Sequence, residues 1–130
     1  MGEALDTSEF DSTWSWRSRL RPSSPRRAVS PAGGAIDAAG HTIGHLAGLL
    51  ESEGEGAVLA GDAIHHPLQV IYPDREIHAF DAEQARATRH KLLDLCVESG
   101  FWLAPAHFRA PHLCKIVKNG KNFEMVWPEA

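Results

Sequence analysis

Gly40-His41-Thr42-Ile43-Gly44-His45, followed by Ala57-Val58-Leu59-Ala60-Gly61-Asp62-Ala63-Ile64-His65-His66, decides how this chain is read. Each stretch sets imidazoles, and in the second a carboxylate, in a glycine-bearing loop. Residues 57–60 are short and apolar, as a buried strand is, and glycine lets the backbone turn beside the polar groups. A third stretch, Phe101-Trp102-Leu103-Ala104-Pro105-Ala106-His107-Phe108, repeats the plan: apolar run, proline, then His107. Loops at strand ends are held by a sheet while their side chains stay free to converge, so a layered α/β domain builds its sites there. Imidazole nitrogen with carboxylate oxygen is a ligand set for zinc or another first-row divalent ion. His41, Asp62 and His107 are the expected metal ligands, assembled by folding rather than by one local motif.

Outward from these loops, residues 45–50 carry Leu46, Leu49 and Leu50 and read as a strand. Residues 51–56 read as a polar hairpin turn. Residues 63–80, with Pro67, Tyr72, Pro73 and Asp74, read as a long irregular loop, a length that often goes with function. His65 and His66 within it are expected either to line a substrate pocket or to pack the loop. Asp81 with Gln84 three residues later is a capping-box-like start, and Gly100 a stop, which predicts a helix between them. Ala85, Leu92, Leu95 and Cys96 lie along one face of that helix, with Arg86, Arg89, His90, Lys91 and Asp94 mostly on the others. Arg89 is expected to pair at the surface with a loop acid such as Asp74. Residues 114–118 and 122–127 flank Asn119-Gly120, a strong hairpin signal. Trp102 and Trp127 are expected in the core and His112 in a turn. The order is strand, strand, helix, strand, hairpin: an α/β layered domain.

At 130 residues, 43% hydrophobic and 23% charged, the chain can bury a core of its own. Its net charge of −4 gives no basic face for nucleic acid. Cys96 and Cys114 stand outside any Cys-x-x-Cys pattern and read as the reduced thiols of a cytoplasmic protein. No apolar run approaches the roughly 20 residues of a membrane span, and the N-terminus has no secretory h-region. Residues 1–32 differ from the rest: an acidic start, Trp14 and Trp16, then five arginines among serines and prolines. They are expected to form a disordered or loosely attached tail before a domain at 33–130.

Four motifs then fall in one order: Gly-His-Thr-x-Gly-His at 40–45, Gly-Asp-x-x-His-His-Pro-Leu-Gln at 61–69, Phe-Asp-x-x-Gln-Ala-x-x-Thr-Arg at 80–89 and Pro-Ala-His-Phe at 105–108. In order and spacing they resemble the C-terminal half of the metallo-β-lactamase superfamily, most nearly its lactonase-like and organophosphate-hydrolase-like members. The resemblance runs from about Ile36 to the C-terminus. It implies the C-terminal half of an αββα sandwich, one or two zinc ions, and hydrolysis of a small-molecule ester, lactone or related bond by a metal-bound hydroxide. By the same resemblance His41 binds the first metal, Asp62 bridges, His107 binds the second, and His45 supports without ligating.

The superfamily's His-x-His-x-Asp-His motif occurs nowhere in this sequence, and no histidine precedes His41. The expectation is therefore a truncated metallo-hydrolase. The alternative is a non-catalytic remnant or interaction module with an incomplete metal site. In a third arrangement, His41, Asp62 and His107 share one ion as a 2-His-1-carboxylate set. A half-sandwich also leaves an apolar sheet face open, which predicts self-association.

Overall fold

The computed structural model describes residues 32–129; the expected N-terminal tail lies outside the described residues but for Ala32. The elements are β1 (Ala32–Asp37), β2 (Leu46–Ser52), β3 (Glu55–Gly61), α1 (Leu68–Ile71), α2 (Ala82–Ser99), β4 (Trp102–Pro105), β5 (Cys114–Asn119) and β6 (Asn122–Val126). The strands form one six-stranded sheet in the order β1-β2-β3-β4-β5-β6. Neighbours are antiparallel except β3 and β4, which run parallel. A parallel neighbour needs a crossover, and α2 supplies it. The Asp62 and His107 loops therefore leave the sheet at the same ends of adjacent strands.

The first strand is an addition to the sequence reading. Ala32-Gly33-Gly34-Ala35-Ile36-Asp37 has little intrinsic strand preference. It is held by pairing along its whole length with β2, from Ala32 opposite Glu51 to Asp37 opposite Leu46. The turn expected over 51–56 shrinks to Glu53 (φ 53) and Gly54 (φ 85), because Ser52 already pairs with Glu55. Two left-handed residues match the twist of the strands they join. The last hairpin turns on Gly120 and Lys121, one residue later than expected, since Asn119 pairs with Asn122.

The helix follows its caps. Asp81 accepts a hydrogen bond from the Gln84 N–H at 2.9 Å, and Gly100 ends the helix in the left-handed region. Ala85, Thr88, Arg89, Leu92, Leu93 and Cys96 form its buried stripe. Against that stripe the sheet presents Val58, Ala60, Leu103, Cys114, Ile116 and Phe123. Both cysteines are free, and burial pushes their thiols up, Cys96 to about 12 and Cys114 to about 11.

Two side chains lie elsewhere than the sequence suggests. Arg89 is not a surface residue: only 1% of it is exposed, and it pairs with Glu76, while Asp74 is taken by His90 at 2.9 Å. Trp127 is not in the core; it lies exposed past the end of β6, with Phe108 as its aromatic neighbour. Trp102 is half-buried, with the Lys115 ammonium 4.3 Å above its ring.

The sheet face turned away from α2 carries Leu46, Leu50, Leu59, Val117 and Val126, all exposed. No helix among the described residues is long and apolar enough to cross a membrane.

Candidate metal centre

Asp62 follows the last residue of β3, and its position is set by its neighbours. His45 Nε2 accepts a hydrogen bond from the Asp62 backbone N–H at 3.0 Å. That approach requires glycine at 61: φ is +53, and a Cβ there would lie 2.9 Å from His45 Nε2. The carbonyl of Gly61 in turn accepts from the Ala106 N–H at 3.2 Å, fastening the His107 loop to the Asp62 loop. Ala63 and Ile64 plug into the core directly after Asp62, leaving the acid on the rim.

His107 Nε2 donates to Asp62 Oδ1 at 2.8 Å. His65 Nε2 lies 3.8 Å from the same oxygen. The rings of His65 and His107 stack, with centroids 5.1 Å apart and planes 8° from parallel. One ligand atom each of Asp62, His65 and His107 falls within 4.8 Å of the others. These are nitrogen and oxygen donors converging from three points of two fastened loops, a set that fits a borderline divalent ion.

His41 stands beside this group rather than in it. Its ring centroid is 4.7 Å from that of His65 and 6.2 Å from that of His45. Its Nδ1 is 3.0 Å from the His78 carbonyl; donating there leaves the Nε2 lone pair free. The His41 loop is pinned to the start of α2. The Phe80 and Asp81 N–H groups donate to the carbonyls of His41 and Gly40, and Thr88 Oγ1 donates to Ala39 O at 2.6 Å. At Gly40, with φ +133, a Cβ would strike the backbone of Ala85 at 2.3 Å. His66 faces elsewhere: its Nδ1 accepts from the Leu68 N–H at 3.1 Å. It then borders a cleft of about 700 Å³ that it shares with Pro67, His107, Arg109, Pro111 and Trp127.

The electrostatics favour ligation. Burial opposes the charge on Asp62, but the His107 hydrogen bond and the fields of His65, His107 and His41 together hold its carboxyl below the ordinary range. Burial, aided by His41, lowers His65, against the pull of Asp62, so its imidazole is neutral near pH 7 with a lone pair to give.

Sequence reasoning overlooked two residues that hold this rim in place. Gln69 Oε1 accepts from the His65 N–H at 2.8 Å. Arg89 donates from Nε to Ala63 O at 3.2 Å and from Nη1 to Arg75 O at 2.9 Å and to Pro73 O. The signal for Arg89 was present: it falls four residues from both Ala85 and Leu93 on the stripe that α2 buries.

No family model and no curated protein matches the sequence. Solved structures do. The chain is similar to the hydrolase AbOPH of the beta lactamase superfamily, with 28% identity and a TM-score of 0.70 over 75% of this chain and 35% of that one. It is also similar to AidC, a dizinc quorum-quenching lactonase solved with a product, at 25% identity and a TM-score of 0.68 over 75% of this chain and 34% of that one. A probable metal-dependent hydrolase from Staphylococcus aureus shares the fold, at 18% identity and a TM-score of 0.62 over 78% of this chain and 37% of that one. The chain thus spans about a third of the length of the solved structures it matches. In fold, the described residues are a partial domain of the metallo-β-lactamase superfamily.

Proposed function

We propose that this chain acts in metal-dependent hydrolysis of a small-molecule ester, lactone or related bond. The observation that carries the reading is the convergence of Asp62, His65 and His107 on the rim of a fold shared with such hydrolases. Zinc is the favoured ion, on the N/O donor set and on the likeness to a dizinc lactonase. When bound, such an ion lowers the pKa of water and polarises the carbonyl or phosphoryl oxygen to be attacked.

The chain's own residues supply the rest. Asp62, ionised and fixed by His45, offers the anionic donor. His65 offers a neutral imidazole. The cleft beside His107 is lined by Pro111 and Trp127, apolar surface for the body of a substrate, and by Arg109, a cation. Its volume is within the range of small-molecule sites.

A second reading has its own observation. The sequence has no His-x-His-x-Asp-His motif, so the two-ion arrangement implied by the resemblance lacks most of its donors. On that reading the chain is a non-catalytic remnant or interaction module with an incomplete metal site.

The purified 130-residue chain, loaded with zinc, separates the two when assayed on an aryl ester, an N-acyl homoserine lactone and an aryl phosphotriester. The enzyme reading expects turnover of at least one, lost on chelation and in Asp62→Asn. Bound zinc without turnover above the metal-free chain sinks it and supports the module.

A further inference from the structure

We infer that Asp62, His65 and His107 form a complete site for a single divalent ion, with His65 rather than His41 as the third ligand. This deepens the proposal above and rests on its premise that Asp62 binds metal.

Around a tetrahedral zinc with bonds of about 2.0–2.1 Å, ligand atoms lie about 3.3 Å from one another. Separations of 2.8 Å from Asp62 Oδ1 to His107 Nε2 and 3.8 Å to His65 Nε2 bracket that value. His41 joins no such three-residue set among the described residues.

His65 is also placed with care. It follows Asp62 by three residues, across the buried Ala63 and Ile64. Gln69 holds its N–H, and Arg89 holds the carbonyl of Ala63. Its ring stacks on that of His107, with centroids 5.1 Å apart, which keeps both imidazoles beside the Asp62 carboxylate. In its Nδ1–H tautomer His107 would present the Nε2 lone pair that such an ion takes.

A second ion has too little to hold it. Among the described residues, Asp62 is the carboxylate of the donor group, and His41, whose ring centroid is 4.7 Å from that of His65, is a further imidazole beside it. A bridge and one imidazole fall short of the three protein ligands that a catalytic zinc normally takes. The site is therefore a two-His, one-carboxylate set with an open face. It is distinct from the two-ion centre in which His41 and His107 serve separate metals.

Cobalt(II) reads this directly, without any substrate. The full chain is titrated with Co²⁺ by equilibrium dialysis and visible absorption, alongside His65→Ala, His41→Ala and His65→Cys, each checked for folding by circular dichroism. The expected result is one equivalent bound by the parent chain and by His41→Ala. His65→Ala loses at least 10-fold in affinity. His65→Cys regains binding and gains a thiolate-to-cobalt charge-transfer band in the near ultraviolet. Two equivalents in the parent chain overturn the inference. So does a loss in His41→Ala with none in His65→Ala, although metal binding as such would survive. Absence of binding in the folded parent chain defeats both this inference and the functional proposal.

Discussion

The placement of Asp62 depends on a single nitrogen lone pair. His45 Nε2 accepts from the backbone of the acid, so the His45 proton sits on Nδ1, and the resemblance's supporting role for this histidine gains a physical content. His45→Ala leaves the Asp62 N–H without its acceptor. The expected cost is about 1–3 kcal/mol in urea unfolding. Metal affinity should fall roughly 10–100-fold in a chelator competition, the usual effect of losing a residue that orients a ligand. Gly61→Ala should act through the same contact, because its Cβ would occupy the approach of His45. Equal zinc affinity in parent and His45→Ala would show that Asp62 needs no such anchor. His41, Asp62 and His107 were legible as candidates because glycine and proline mark the strand ends they stand on. The convergence of His65 was not legible: its direction inside an irregular loop depends on the hydrogen bond its N–H donates to Gln69 and on the one Arg89 donates to Ala63, which no local pattern encodes.

At the scale of elements, α2 and the loop before it act as one unit through the buried Arg89. Arg89 ties together the carbonyls of Ala63, Pro73 and Arg75 and pairs with Glu76, whose side chain is 11% exposed. Arg89→Met should destabilise the fold by about 3–5 kcal/mol, since it strands a nearly buried carboxylate and three carbonyls. Thermal unfolding checks this; a change under about 1 kcal/mol would show that the loop holds without its clamp. The pair also predicts a pH dependence. Burial works against the charge of Glu76, but hydrogen bonds from Arg89 and from the N–H groups of His78 and Ile77, with the Arg89 charge, lower its pKa overall. The folded state thus binds this proton less readily than the unfolded chain. The pair's contribution is complete above the ordinary glutamate range and is lost as pH falls through the lowered value. Glu76→Gln should flatten that acid limb and destabilise the protein at neutral pH. The limits of α2 were readable from Asp81, Gln84 and Gly100, because caps are local chemistry. The burial of Arg89 ran against its residue type, and β1 ran against its glycine content; in both cases a tertiary partner outweighed local preference.

For the molecule at large, the sheet face away from α2 stands uncovered among the described residues. Leu46, Leu50, Leu59, Val117 and Val126 stand exposed on the side away from α2. Contiguous apolar patches of several hundred Å² commonly mark contact surfaces. The full chain should therefore associate with itself in a concentration-dependent way by light scattering. Leu46→Glu with Leu50→Lys should shift it toward monomer without unfolding it. A parent chain that stays monomeric at high concentration would remove the claim. The layered α/β architecture could be read before any coordinates, because apolar runs, caps and turn residues agreed on it. The donor geometry could not, because it depends on how the Asp62 and His107 loops meet across adjacent parallel strands. That meeting is best tested by a crystal structure of the zinc-soaked chain, with anomalous differences measured on both sides of the zinc edge. One edge-dependent peak is expected within bonding distance of an Asp62 carboxylate oxygen and of His107 Nε2. A peak bound elsewhere, or an Asp62 and His107 too far apart to share one, would contradict it.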